Sequence, residues 1–272
     1  MNRYLAGVDI GGTNTDAILA TRDGEQLARF TIPTSAAGGD AVVSSTIKAI
    51  DSVVEEAETR VSDLTAIGLG IPGQVEPETG FVRLARNLGI EADGYPIAAA
   101  IANHYRKPTA VENDVRAAAL GLYDREPVPP DILTYLSIGT GISAGTVIEG
   151  ELLRGSRGVA GELGQIPIAI SASTPGTTLI SSEDAAAGPA VGLRAEEDGI
   201  ARDRFFSAPA AQPVLEVIAR VVHTIFVAYD PDILYVGGGV SRSAGFHAAL
   251  ITTVDDLRAR TGCGFIDVSR IS

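Results

Sequence analysis

Cysteine and histidine are scarce in this chain of 272 residues, which has one cysteine, Cys263, and three histidines. A single thiol excludes an internal disulfide, an iron–sulfur cluster and any zinc site built on several cysteines. Long apolar runs are also missing, because Glu216, Arg220 and His223 interrupt the most apolar stretch, 214–229. We therefore expect no zinc and no transmembrane helix, which needs about 20 apolar residues.

Basic residues are in the minority. Lysine and arginine total 21, against 34 aspartates and glutamates, so the formal net charge is −13. An acidic surface repels a phosphate backbone, and no run of basic residues marks a membrane-binding patch. The first residues enter a strand pattern directly, without the apolar core of a signal peptide. These absences predict a cytoplasmic protein that binds neither nucleic acid nor membrane.

Strand patterns alternate with helical patterns along the chain, which favours an α/β fold. The segment 124–131 contains three prolines and four charges and predicts a boundary between domains 1–122 and 123–272. The segment 155–212 is rich in glycine, alanine and serine and predicts no definite element. The predicted strands are 4–10, 15–20, 26–32, 65–71, 108–112, 132–138, 143–148 and 233–236, and the predicted helices are 39–58, 96–106, 113–123, 213–228 and about 243–259.

The two halves of the chain contain similar segments. Residues 8–27 and 135–153 both follow the pattern strand, Gly/Thr turn, strand, tight turn, strand. One such segment in each half predicts two related α/β units.

Three glycine-rich turns follow predicted strands. Glycine lets a backbone approach a phosphate closely, and threonine hydroxyls and free N–H groups donate hydrogen bonds to it. Asp9, at the end of the first strand, is placed to hold Mg²⁺ directly or through water. An ordinary tight turn is the alternative for each segment, and no Walker A motif is present. The candidates are Asp9, Gly11, Gly12, Thr13 and Asn14 in the first turn, Thr140 and Gly141 in the second, and Gly237 and Gly238 in the third.

Asp114 begins a predicted helix at the end of a predicted strand, which allows two roles. As a helix cap, its carboxylate would accept hydrogen bonds from the first turn. As a general base, it would point into a cleft and accept a proton. Asn87, Glu162 and Gln165 have the side chains that bind sugar hydroxyls, and each has the alternative of a satisfied turn residue.

In their order and spacing, six segments resemble the ROK family (repressor, open reading frame, kinase) over about residues 5–245. The resemblance implies the actin-like, ribonuclease-H-like ATPase fold, with two units and an interdomain cleft. It also implies a sugar kinase that transfers the γ-phosphoryl group of ATP to a hydroxyl of a hexose or amino sugar, and a homodimer is expected. The segments are GVDIGGTNTDAIL at 7–19, GIPGQVEPETG at 70–80, RNLGI at 86–90, VENDVRAAALG at 111–121, the segment 136–168, and DPDILYVGGGVS at 230–241.

The resemblance assigns roles to the candidate residues. Asp114 matches the family's catalytic base, and Gly238 with its neighbours matches the wall of the nucleotide pocket. The sugar-binding matches are Gly73, Asn87, Asn113, Asp114 and Glu162, with Gln165 beside them, and the phosphate-loop matches are Gly11, Gly12, Thr13, Thr140 and Gly141.

The chain departs from the family pattern in several places. Gln165 replaces a histidine, and 166–212 has no CxCGxxGC cluster, so no zinc site is expected. The region after Ile170 is short, and a closing helix is not expected after Asp267. These departures leave a non-catalytic sugar- or nucleotide-binding relative as an alternative. A hydantoinase/oxoprolinase-type ATPase is a second alternative, although its chains are much longer.

A repressor of the same family would carry a helix-turn-helix domain ahead of the first glycine turn. Only six residues precede Gly7, so a DNA-binding repressor is not expected.

Overall fold

The computed structural model describes residues 3–171, 177–264 and 266–272. It divides into two compact units. The first comprises Met1–Ala118 together with Arg154–Val159, and the second comprises Ala119–Leu153 together with Ala160–Ser272. These units differ from the predicted domains 1–122 and 123–272 at residues 119–122 and 154–159.

The first unit is built on a five-stranded sheet with the order β3-β2-β1-β4-β7. β2 runs antiparallel to both of its neighbours, whereas β4 runs parallel to β1 and to β7. The first of its helices covers the β1–β3 side because residues such as Val42, Ile50 and Val53 recur at helical spacing and are fully buried. The elements are β1 (Tyr4–Ile10), β2 (Asn14–Thr21), β3 (Gln26–Pro33), α1 (Gly39–Glu56), β4 (Leu64–Ile71), β5 (Gln74–Val75), β6 (Val82–Arg83), α2 (Ile97–Tyr105), β7 (Thr109–Asn113) and α3 (Asp114–Tyr123), whose last residues belong to the second unit.

The second unit contains a four-stranded sheet with the order β10-β9-β8-β13 and a separate two-stranded hairpin, β11-β12. β8, β9 and β10 are antiparallel neighbours, and β13 runs parallel to β8. The elements are β8 (Ile132–Ile138), β9 (Ile142–Ile148), β10 (Glu151–Leu152), β11 (Pro167–Ser171), β12 (Thr177–Ser181), α4 (Ser182–Ala186), α5 (Gly188–Glu197), α6 (Gln212–Tyr229), β13 (Ile233–Gly237) and α7 (Phe246–Thr261).

Each unit thus contains an antiparallel three-stranded meander whose first strand also pairs with a later, parallel strand. In the first unit these strands are β1, β2 and β3 with β4, and in the second they are β8, β9 and β10 with β13. This shared topology is the one that the two similar sequence segments predict.

α6 is the core helix of the second unit. By length and composition alone, the segment Pro209–Tyr229 could cross a membrane, but 56% of its apolar 18-residue stretch is buried inside the protein. Val214, Ile218 and Phe226 are among the side chains that it packs into the unit's core. Core burial explains why this helix is so apolar.

The segment 155–212 holds structure that its composition did not predict. It contains the β11-β12 hairpin, α4 and α5, while residues 172–176 of this segment lie outside the described residues.

Candidate active site

The carboxyl ends of β1, β4 and β7 lie at one edge of the first sheet, because these three strands are parallel. In such sheets, ligands bind at this edge. Most of the sequence-predicted residues of the first unit follow or end these strands. They are Asp9 near the end of β1, Gly11, Gly12, Thr13 and Asn14 after β1, Gly73 after β4, Asn113 at the end of β7, and Asp114 directly after β7.

The first glycine turn is a tight hairpin between β1 and β2. The Gly11 N–H donates to the Asn14 carbonyl at 2.9 Å, and the turn residues Gly12 and Thr13 are exposed. Gly12 faces Asn87, since a Cβ at Gly12 would lie 2.9 Å from Asn87 Nδ2. The structure therefore places a predicted sugar-binding amide directly beside the predicted phosphate turn.

Asn113 caps helix α3. Its buried Oδ1 accepts hydrogen bonds from the N–H groups of Val115 at 3.1 Å and Arg116 at 3.2 Å. Its Nδ2 donates to the Gly73 carbonyl at 3.3 Å, which joins two of the predicted sugar-binding positions. The N-cap position of α3 is therefore filled by Asn113, and Asp114 shares only the Val115 N–H with it.

Asp114 is half-buried and accepts one hydrogen bond, at 2.9 Å, from the N–H of Val115. Burial raises the pKa of its carboxyl group, and the negative charge of Asp9 adds to the rise. The Val115 N–H and the positive charge of Arg116 act in the opposite direction without cancelling it. Asp114 therefore has a higher proton affinity than an ordinary aspartate, which is a property of many general bases.

Asp9 lies opposite Asp16 on the neighbouring strand. The side chain of Asp9 is exposed, yet partial desolvation by neighbouring protein atoms, with the charge of Asp16, raises its pKa. The hydroxyl of Thr31 donates to Asp16 at 2.5 Å, and Arg29 pairs with it at 3.0 Å, so the pKa of Asp16 is lowered. Asp9 is thus the carboxylate of this pair that is open to a cation.

The second and third glycine turns meet in the second unit, because β8 and β13 are parallel neighbours. Gly238 has φ 93°, and a Cβ there would overlap the carbonyl of Ile138, so the close approach requires glycine. The Gly139 N–H donates to the Gly141 carbonyl at 2.9 Å and closes the second turn. The structure therefore packs Gly238 against Ile138, the last residue of β8 before the turn that contains Thr140 and Gly141.

Glu183 supports the second glycine turn, a role that no sequence motif indicated. Its Oε2 accepts a hydrogen bond from the Ile142 N–H at 3.0 Å and lies against Gly141. The only local signal is Ser181, which caps α4 by accepting from Asp184 N at 2.9 Å and so fixes the helical turn that holds Glu183.

Glu162 and Gln165 are exposed beside a single 3₁₀ turn, Leu163–Gln165, in the second unit. The segment is attached to β9, since the Ala144 N–H donates to the Gly161 carbonyl at 2.8 Å. Within the described residues, no group of three or more histidine, cysteine, aspartate or glutamate side chains is arranged to hold a metal ion.

Comparison with known proteins shows what the chain resembles. The sequence profile of the ROK family matches residues 5–263. A glucokinase of Halalkalibacterium halodurans is 29% identical over 272 residues, with 89% of this chain and 82% of that enzyme covered. An N-acetylmannosamine kinase of Vibrio cholerae is 26% identical over 258 residues, with 90% of this chain and 86% of that enzyme covered.

The fold is shared with a solved ROK family glucokinase from Streptomyces griseus in complex with glucose and AMPPNP. That structure is 24% identical and has a TM-score of 0.73, with 94% of this chain and 89% of that chain covered. The actin-like ATPase fold expected from the motifs is thereby confirmed.

Proposed function

The chain belongs to the ROK family, and we propose that it is an ATP-dependent kinase that phosphorylates a hydroxyl of a hexose or an amino sugar. The glucokinase and N-acetylmannosamine kinase relatives support this substrate class. The observation that carries the proposal is that the two adjacent residues at the end of β7 have different roles. Asn113 caps the helix, and the neighbouring Asp114 keeps a carboxylate of raised pKa at the sheet edge where ligands bind.

In this proposal, Asp114 accepts the proton of the sugar hydroxyl as the oxygen attacks the γ-phosphorus of ATP, the bond from that phosphorus to the bridging oxygen breaks, and ADP leaves. We propose that Gly73, Asn87, Asn113 and Glu162 bind the sugar hydroxyls, and that Gln165 is a further candidate for this role.

The glycine turns supply backbone N–H groups and the hydroxyls of Thr13 and Thr140 to the phosphates. Gly237 and Gly238 line the nucleotide side of the second turn. Mg²⁺ neutralises phosphate charge when it is bound with ATP, and the exposed carboxylate of Asp9 is the group that we propose to hold it.

We further propose that the chain works without zinc. Gln165 cannot replace the thiolate or imidazole ligands that structural zinc uses, and the chain has a single cysteine. A homodimer in the cytoplasm, without nucleic-acid or membrane partners, stays a prediction from the sequence.

A coupled assay for ADP release over a panel of hexoses and N-acetylhexosamines tests the proposal, because release must depend on the sugar. A thermal-shift screen of the same sugars, with and without ATP-Mg, runs beside it, since a ligand that binds only the folded state raises the melting temperature. Sugar-dependent ADP release supports the kinase. A sugar that raises the melting temperature, while no sugar releases ADP, would instead identify the non-catalytic binding relative.

A further inference from the structure

Arg116 lies in the first turn of α3 and is only 1% exposed. A buried guanidinium is costly unless it is paired and hydrogen-bonded. Arg116 Nε donates to Glu112 Oε1 at 2.8 Å, and Nη1 donates to the carbonyl of Gly158 at 3.1 Å. This buried charge therefore connects the end of β7 to a segment 42 residues away.

Glu112 bridges two arginines directly before the predicted active-site pair. Its Oε2 accepts from Arg154 Nε at 2.6 Å, while its Oε1 accepts from Arg116 and from the backbone N–H of Asn113 at 2.9 Å. Burial raises the pKa of Glu112, but these hydrogen bonds and positive charges outweigh it, so the pKa is lowered overall. Glu112 thus stays ionised and holds its partners at all pH values near neutrality.

The segment Arg154–Val159 is fastened to the first unit at more than one point. Besides the Arg154 and Arg116 contacts, Gln74 Nε2 donates to the Arg157 carbonyl at 2.6 Å. Gly158 has φ 67°, and a Cβ there would overlap the carbonyl of Val75, so the chain approaches β5 as closely as only glycine allows. The contact with Glu112 is therefore made by a segment with a fixed position.

We propose that Glu112, Arg116 and Arg154 form a positioning network for phosphoryl transfer, which fixes the backbone that carries Asn113 and Asp114. The inference rests on the proposed sugar kinase function. The network reaches Asn113 from both sides, because Glu112 accepts from its N–H and the Arg116 N–H donates to its Oδ1. A displacement of about 1 Å at a reacting group costs on the order of 100-fold in rate, so such a tie matters for turnover.

Arg154→Gln is the main test. Arg154 is 35% exposed, so its replacement by glutamine changes a partly exposed side chain rather than a fully buried one. Arg154→Lys keeps the charge. The matched control is Arg270→Gln, which removes an ion pair of similar exposure, 36%, with Asp230 at 3.0 Å in the second unit. The measurements are kcat, the KM values for sugar and ATP, the sugar dissociation constant by calorimetry, and the melting temperature.

We expect Arg154→Gln to raise the KM and dissociation constant for sugar by about fivefold or more and to lower kcat, with the ATP KM unchanged. Arg154→Lys recovers most of the loss, and Arg270→Gln stays within about twofold of wild type, the range expected for an exposed ion pair. A merely structural role would lower the melting temperature without this split between the two substrates.

Arg116→Gln adds a readout based on the pH profile. The charged side chains that act on Asp114 are Asp9, which disfavours its ionised form, and Arg116, which favours it. Loss of the Arg116 charge should therefore move the acidic limb of kcat/KM to higher pH. Arg154→Gln keeps the test decisive if this buried variant does not fold.

The outcomes separate the two proposals. If wild type releases no ADP with any sugar, the kinase proposal fails, and the calorimetric sugar affinity of the Arg154 variants still tests the positioning of Asn113. If Arg154→Gln behaves like Arg270→Gln in every measurement, or if Arg154→Lys is as impaired as Arg154→Gln, the positioning network is overturned.

Discussion

Asp114→Asn and Asn113→Ala separate catalysis from stability at two adjacent residues. In Asp114→Asn, the amide oxygen keeps the 2.9 Å hydrogen bond from the Val115 N–H but cannot accept the sugar's proton. Loss of a general base costs about 10²–10⁴ in turnover. Since each tenfold corresponds to 1.36 kcal/mol, the barrier should rise by about 2.7–5.4 kcal/mol.

The stability of the same variant should hardly change. The substitution keeps the hydrogen bond, which is worth about 0.5–1.5 kcal/mol net, and it removes a charge that burial disfavours. Asn113→Ala, in contrast, removes the acceptor of two helix N–H groups, and loss of a cap costs about 0.5–2 kcal/mol. That loss should lower the melting temperature by on the order of 1–8 °C.

The assays are ADP release, sugar binding by calorimetry and thermal unfolding of wild type and both variants. The acidic limb of the wild-type pH profile gives an independent check. The base works only when ionised, and its pKa is raised, so kcat/KM should begin to fall at a higher pH than an ordinary aspartate would give. If Asp114→Asn retains more than about a tenth of wild-type turnover, the base assignment is wrong. If it unfolds as readily as Asn113→Ala, the role of Asp114 is structural.

Three further predictions concern the glycine turns and the metal. Gly12→Ala should raise the sugar KM several-fold with little effect on stability, because the new methyl group would lie 2.9 Å from Asn87 Nδ2 and displace that side chain. An unchanged sugar KM would contradict the placement of Asn87 in the sugar site. Glu183→Ala should raise the ATP KM more than the sugar KM, because the Ile142 N–H loses its acceptor, and Glu183→Gln should restore most of the binding. Elemental analysis of protein purified without an affinity tag should give far less than one zinc per chain, and stoichiometric zinc whose removal unfolds the protein would refute the zinc-free proposal.

Periodic segments could be predicted from the sequence to within a residue or two. The predicted strand at 132–138 is β8, Ile132–Ile138, and the predicted helix at 213–228 is α6, Gln212–Tyr229. Both have a dense apolar pattern with one period, and α6 also has a proline in its first turn. The segment 155–212 has small residues without a period, so the hairpin β11-β12 and helix α5 could not be predicted from it.

The positions of the candidate active-site residues in the fold could be predicted from the sequence, but their hydrogen bonds and ion pairs could not. Strand ends and glycine turns are visible in a sequence, and parallel pairing then brings them to one edge. Which of Asn113 and Asp114 caps α3 was not predictable, because both residue types cap helices well. The second arginine partner of Glu112 could not be predicted either, because Arg154 lies 42 residues away and contacts Glu112 only in the folded protein.

The two carboxylates at the end of β7 show why one short segment can both hold its structure and accept a proton. Glu112 and Asp114 are separated by one residue and have the same titrating group, yet their pKa values are displaced in opposite directions. Desolvation raises both pKa values. The Glu112 carboxylate, however, accepts hydrogen bonds from two arginines and a backbone N–H, which lower its pKa. The Asp114 carboxylate accepts a hydrogen bond from the Val115 N–H, and the negative charge of Asp9 raises its pKa further.

Neighbouring groups whose surroundings separate their pKa values generally have different roles. By this reasoning, Glu112 is the permanent anion that anchors the segment, and Asp114 is the group that exchanges the proton. Replacing each carboxylate by its amide should therefore have different effects at the two positions. Glu112→Gln removes a carboxylate that pairs with the buried Arg116, a change that costs about 3–5 kcal/mol in buried pairs, whereas Asp114→Asn should lower turnover.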